Sequence, residues 1–259
     1  MILTKALDEA LQHYEIAGIR SAVATVARLY SEVQASSIEL RGGFVAFTGV
    51  DSPFSYAVGV GALAPVNDTD IRTITQFYES RGAAAQVLVT PLSDPSLARG
   101  LAAAGYAPHE YQNVLLCDQL AGSSLDDRIA IAADLKQWAC ASAQAFLDVA
   151  ALNPGDERVA IVLASSQGVR ALEAREDGAI VATGAMDVRG DCSALFAGST
   201  KPEFRNRGWH TALIRDRMAR ARAAGARFIR ASTQPGSASE RNFLRCGFAV
   251  LYTRTMWQL

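Results

Sequence analysis

Arg205, Asn206, Arg207 and Gly208 form a short basic run, directly followed by Trp209, His210 and Thr211 and then by the apolar stripe of Ala212, Leu213, Ile214, Met218 and Ala221. That stripe has helical spacing, so the run sits where a loop enters a helix. A helix start directs free N–H groups and the positive end of the helix dipole at whatever lies before it, which suits an anion such as a pyrophosphate. The two guanidinium groups add formal charge, and Gly208 lets the backbone approach a ligand closely. Upstream, Leu195 and Phe196 read as a strand that Pro202 keeps from continuing.

Acid–base chemistry needs carboxylates or hydroxyls near such an anion. Glu173 and Asp187 lie on segments that read as strands, and Tyr252 lies on the last one. A carboxylate on a half-exposed strand is ordinarily just solvated, and catalysis is the alternative role for both. His13, His109 and His210 have no ligand spacing, and Cys117, Cys140, Cys192 and Cys246 lie far apart without a Cys-x-x-Cys pair. No metal site is expected, and the thiols read as small apolar side chains.

The 259-residue chain carries a formal charge of −1 and is half apolar. That balance argues against nucleic acid or an anionic membrane as partner, and leaves homo-oligomerisation open. No signal-like start or membrane-length apolar run is present, so the expected location is cytoplasmic. Arg215, Arg217, Arg220 and Arg222, with Arg227 and Arg230 beyond them, have no interleaved aromatics and are expected as solvated helix arginines, some within reach of a phosphate. Gly59-Val60-Gly61-Ala62-Leu63-Ala64 fits a dinucleotide fingerprint in letters, but Pro65 would interrupt the helix that such a fingerprint must open.

The elements that must position these residues come in the same order twice. Two helices over residues 3–34 and three short strands lead to a helix from Asp68 to Glu79, strand Gln86–Thr90, helix Asp94–Ala104 and strand Tyr111–Cys117. The second half places helices at 134–146 and 156–166 before strands Val169–Arg175, Ala179–Asp187 and Cys192–Ser199. The basic loop follows, then helix His210–Ala224, strand Phe228–Ser232, helix Ser237–Arg245 and strand Val250–Trp257. Gly105-Tyr106 and Gly247-Phe248 close matching helices 142 residues apart, and the same offset superposes the preceding strands and helices. An internal duplication follows, with a link near Leu120 to Ser124 and domains expected at 1–120 and 121–259.

On these motifs the second half resembles the GCN5-related N-acetyltransferases (GNAT). Their signature, Gln/Arg-x-x-Gly-x-Gly/Ala between a strand and a helix, reads here Arg205-Asn206-Arg207-Gly208-Trp209-His210, preceded by Pro202 and followed by Gly247-Phe248. His210 replaces the second small residue. Gln234 to Asn242 is similar to a segment of tandem bacterial members whose N-terminal copy keeps the fold without the signature, as Ala64-Pro65-Val66-Asn67 does here.

The resemblance implies an α/β (α+β) fold of two tandem acyl-CoA N-acyltransferase domains, each a mixed, twisted, mostly antiparallel sheet flanked by helices. It implies acetyl-CoA as donor substrate and an amine as acceptor in a ternary complex. Gly198, Ser199 and Thr200 would pair with the pantetheine arm, the Arg205 to Thr211 backbone would hold the pyrophosphate, and Asn242 would lie near the donor. Trp209 would be core or a cover for the donor, while Trp138 and Trp257 are expected in the core. The family's usual tyrosine acid falls on Phe243, which has no proton to give, so Tyr252 or an unassisted thiolate is the expected substitute. A non-catalytic acyl-CoA-binding or scaffold protein is the rival reading.

Overall fold

Capping residues set the helix starts in the computed structural model, which describes residues 4–118 and 123–259. Thr4 accepts the Leu7 N–H and opens α1, Lys5–Leu29. This is one helix where two were expected. Gly18 costs about 1 kcal/mol relative to Ala, but Ile19 continues the buried face across it, packing with Phe44, Ala46, Tyr56 and Val58.

Strands β1 (Ser36–Leu40), β2 (Gly43–Phe47) and β3 (Ala57–Val58) pair antiparallel in sequence. After α2 (Asp68–Glu79), strand β4 (Gln86–Val89) runs parallel to β3, with Ala57 opposite Val87. Helix α3 (Pro95–Ala103) and strand β5 (Ala107–Cys117) follow. Ile71, Ile74, Tyr78, Leu97 and Leu101 bury α2 and α3 on Val45, Val60 and Val87. No helix follows Gly59 directly, as Pro65 requires.

The second half contains β6 (Ile129–Ile131), α4 (Leu135–Leu147), α5 (Pro154–Ser165), β7 (Arg170–Glu176), β8 (Ala179–Arg189), β9 (Cys192–Thr200), α6 (Trp209–Ala223), β10 (Phe228–Thr233), α7 (Ala238–Arg245) and β11 (Ala249–Gln258). Strands β6 to β9 pair antiparallel in order, and β10 runs parallel to β9. An antiparallel run ending in a parallel pair thus occurs in both halves, β1-β2-β3-β4 and β7-β8-β9-β10.

Side chains alternate across the strands of the second half. Ala171 and Ala185 meet Trp138, Ala139 and Ala160 of α4 and α5 on one face. Leu172, Ala174, Met186 and Leu195 meet Leu213, Ile214, Met218 and Phe243 on the other. Trp138 donates its indole N–H to the Leu172 carbonyl at 2.7 Å, fixing α4 on the strand it covers.

Two compact units result, Met1–Asn113 with Leu251–Leu259, and Val114–Val250. In the first, strand order is β1-β2-β3-β4-β11-β5; in the second, β5-β10-β9-β8-β7-β6. Two separate sheets were expected, whereas β5 takes part in both orders, and β11 joins the first unit from residue 251 onward. Arg254 on β11 holds Glu15 of α1 at 2.6 and 2.7 Å and Gln112 of β5, a largely buried ion pair within the first unit. The expected link at 120/121 lies outside the described residues.

Candidate active site

Strands β9 and β10 share only the pairs Cys192–Phe228, Ser193–Ile229 and Ala194–Arg230. Both strands continue, β9 to Thr200 and β10 to Thr233, without further paired residues. An opening therefore begins after Ala194, and Gly198, Ser199 and Thr200 lie on its β9 edge. Thr200 and Thr233 end the two strands with buried hydroxyls that lack a partner.

A bulge re-aims β9 within this opening. Its pairing with β8 slips between Thr183 and Ala185, and Ala197 takes a left-handed φ of 49°. Two residues, Ala197 and Gly198, then face Gly184 alone. Arg217 of α6 donates to carbonyls beside this break. Its Nη1 donates to Ala185 O at 2.9 Å and to Phe196 O at 2.8 Å, and its Nε to Leu213 O at 3.0 Å. A β-carbon on Gly184 would lie 2.8 Å from Arg217 Cζ, so only glycine leaves the guanidinium room.

Arg217 is 0 % exposed, and its Nη2 has no partner. Burial pushes its pKa down to about 10. Its expected place among the solvated arginines is therefore corrected. Leu213, Arg217 and Ala221 occupy successive turns of one buried face. Arg230 is also buried, whereas Arg215 and Arg227 are exposed.

His210 follows in the first turn of α6. Asn242 Nδ2 lies 3.1 Å from its Nδ1, and its ring stands edge-on to Phe243 at 6.1 Å. A β-carbon on Gly198 would lie 3.0 Å from His210 Nε2 and 3.4 Å from Arg217 Nη2. Burial, helped by the Arg217 charge, lowers the His210 pKa to about 4 and keeps the imidazole neutral.

The loop ahead of α6 is the stretch expected to form an anion cradle. Asn206 and Gly208 are both left-handed, with φ of 63° and 84°, and Gly208 caps α6 without any side-chain acceptor for its first amides. Arg205 spans from Thr200 O to Ala145 O, both at 3.2 Å, and approaches Asp148 at 3.4 Å. Arg207 is half exposed, lies over the Phe204 ring and reaches Glu176 at 3.6 Å. Trp209 is buried, with its indole N–H on Glu176 at 3.1 Å and Arg128 over its ring. Trp209 is thus part of the loop's packing rather than its cover. Thr211 is half-buried in the same turn.

The first unit treats its corresponding helix start differently. Asn67 caps α2 and exchanges bonds with Asp70 at 3.0 and 2.9 Å, while Arg41 holds the same carboxylate at 2.8 Å. A protein carboxylate occupies the end that α6 leaves open. The Asp94 N–H also closes on Gly61 O at 2.8 Å, beyond the β3–β4 pair.

Glu173 and Asp187 are both 4 % exposed, so neither is simply solvated. Arg175 holds Glu173 at 2.7 Å but leaves Glu173 Oε2 without a partner. The register aligns Glu173 with Thr183 and Thr183 with Ser199, whose hydroxyls lie 2.7 Å apart. Asp187 is held by Arg189 at 2.8 Å, and burial raises its carboxyl pKa against that ion pair. It faces Ala194, before the opening starts. Tyr252 is buried in the first unit and bonds to Asp8. Among the described residues no His, Cys, Asp and Glu group is arranged for a metal ion, and no helix is long and apolar enough to cross a membrane.

Residues 134–248 match the model of the acetyltransferase (GNAT) family. That match takes in 115 of the 259 residues, less than half of the chain, and shows what this segment is similar to. A GCN5-related N-acetyltransferase from Kribbella flavida is similar over 92% of this chain and 95% of its own, with a TM-score of 0.65 and 16% identity. A GNAT-family putative acetyltransferase from Novosphingobium aromaticivorans aligns over 91% and 96%, with a TM-score of 0.57 and 18% identity. A tandem GNAT protein from the clavulanic acid biosynthesis pathway aligns over 95% and 94%, with a TM-score of 0.61 and 13% identity. At these identities the likeness concerns the fold. No curated protein sequence matches the chain.

Proposed function

We propose that the second half binds acetyl-CoA along the opening after Ala194 and transfers its acetyl group to an amine in a ternary complex. The observation that carries this reading is the uncapped start of α6 behind two left-handed residues, beside a strand edge that has lost its partner. The first amides of α6, with Arg205 and Arg207, would hold the pyrophosphate. Gly198, Ser199 and Thr200 would receive the pantetheine arm, with Asn206, Gly208, Trp209, His210, Thr211 and Asn242 shaping the same site. The amine then attacks the thioester carbonyl, a C–N bond forms, and the C–S pair leaves on sulfur.

Glu173 is the preferred base. It shares a sheet row with Ser199 and keeps one buried oxygen free, whereas Asp187 is aligned with the closed stretch of β9. Residues 1–120 form a second copy that does not take the donor, which its self-capped α2 supports, and 121–259 is the donor-binding domain.

Calorimetry with acetyl-CoA tests the reading. Arg205→Glu, which places a carboxylate beside Asp148, should weaken binding at least about tenfold, the equivalent of roughly 1.4 kcal/mol. No heat with the unmodified protein would overturn the proposal. Binding without thiol release across a panel of amines would instead mark a non-catalytic acyl-CoA binder.

A further inference from the structure

Breaking a thioester with an amine leaves a negative charge on sulfur. The C–N bond forms at the carbonyl, the C–S electron pair goes to the thiolate, and the amine's extra proton goes to a base or to water. A donor group near the sulfur would stabilise that charge without itself ionising. Phe243, 4 % exposed and packed on Phe248, has no such group. Its neighbours supply one.

The hydrogen bonds determine where the His210 proton sits. Arg245 Nη1 can only donate, and it approaches Asn242 Oδ1 at 3.3 Å. The Asn242 amide therefore turns its N–H₂ to His210 Nδ1, which must accept. The ring proton is then on Nε2. That atom points at Gly198, on the stretch of β9 that has left β10, while Asn242 and Phe243 belong to the helix that follows β10. His210 thus touches elements on both sides of the opening, and it is only half-buried. Behind it stands Arg217, fully buried, with Nη2 unpartnered and nearest Gly198. A cation in that place favours the anion and disfavours protonation of the imidazole.

We propose that His210, held as a neutral Nε2–H donor by Asn242, hydrogen-bonds the departing thiolate, with Arg217 as the fixed charge behind it. This rests on the reading of the second half as an acyl-CoA site. The bond stabilises the sulfur without transferring the imidazole proton, so no imidazolate forms. Asn242 is a positioning residue, since it sets the tautomer.

Coenzyme A itself is the probe. Its bound thiol is titrated by thiolate ultraviolet absorbance in the unmodified protein, in His210→Ala and in Asn242→Asp. Asp accepts rather than donates, which moves the imidazole proton to Nδ1 and leaves Nε2 without one. Both variants should raise the pKa of the bound thiol by about one unit, a tenfold loss of thiolate preference. Unchanged titration in His210→Ala, with coenzyme A still bound by calorimetry, overturns this inference alone. Loss of coenzyme A binding in both variants also overturns it, because the pair would then hold the ligand and the thiolate role would have no support. No binding to the unmodified protein overturns the acyl-CoA reading and this inference together.

Discussion

Replacing Arg217 by Met isolates what holds the β9 bulge. Met fills much of the same space and ends the guanidinium bonds to Ala185 O and Phe196 O. Leu213 O keeps its place in the helix ladder, so two carbonyls lose a donor. Each buried hydrogen bond from a charged donor is worth about 1.5–3 kcal/mol, or about 3–6 kcal/mol for the pair. Removing a buried cation that has no carboxylate partner returns part of this, because its desolvation cost disappears. A net loss of about 1–4 kcal/mol is expected. Arg217→Lys, reaching one carbonyl at most, should fall between Met and the unmodified protein. Arg227→Met is the control, since its side chain is 75% exposed and its contact with Asp191 is 3.9 Å long. It should change stability by no more than about 0.5 kcal/mol. Equilibrium urea unfolding with equal slopes reads all three. If Arg217→Met were no less stable than Arg227→Met, the bulge would be held by strand register and not by the guanidinium.

His210 should make the protein less stable in mild acid. Its pKa falls from 6.5 unfolded to about 4 folded, so the unfolded chain binds an extra proton between those values. Stability should decline as pH drops from about 6.5 to 4, by on the order of 2–3 kcal/mol. Urea midpoints of His210→Ala should lack this part of the decline, and parallel pH curves for the two proteins would contradict it. Asp70→Ala should destabilise the first unit by about 1–2 kcal/mol, through loss of the α2 capping box and the Arg41 pair. Thermal unfolding measures that loss, and an unchanged midpoint would show that the α2 start is satisfied by other means.

Most elements were legible because their signals are local. Asn67, Asp94 and Ser237 cap helices at residues that the sequence also marks as starts, while Asn153 opens α5 two residues ahead of the expected 156. The turn into α6 was legible for the same reason, since Arg205 to Gly208 carries its conformation in a few neighbouring residues. Gly18 misled because a glycine weakens a helix only by its own propensity, and the buried face around Ile19 outweighs that. Arg217 was misread because charge suggests exposure, although its position four residues from both Leu213 and Ala221 places it on the apolar face. The bulge at Ala197 depends on which β8 residue lies opposite, so Phe196-Ala197-Gly198 alone cannot show it. The roles of Trp209 and His210 depend on Glu176 and Asn242, each more than thirty residues away.

Strand β11 also bears on how the chain is made. Within the first unit, β4 pairs with Thr255 to Gln258, so Leu88 finds its partner Met256 only after the whole stretch between them has been synthesised. During translation, the β4 edge emerges with its N–H and C=O groups open on that side, and it stays open until the final strand leaves the ribosome. Folding of this unit is therefore not vectorial. It must keep a sticky edge out of contact with other nascent chains, a demand that a self-contained N-terminal domain would not face.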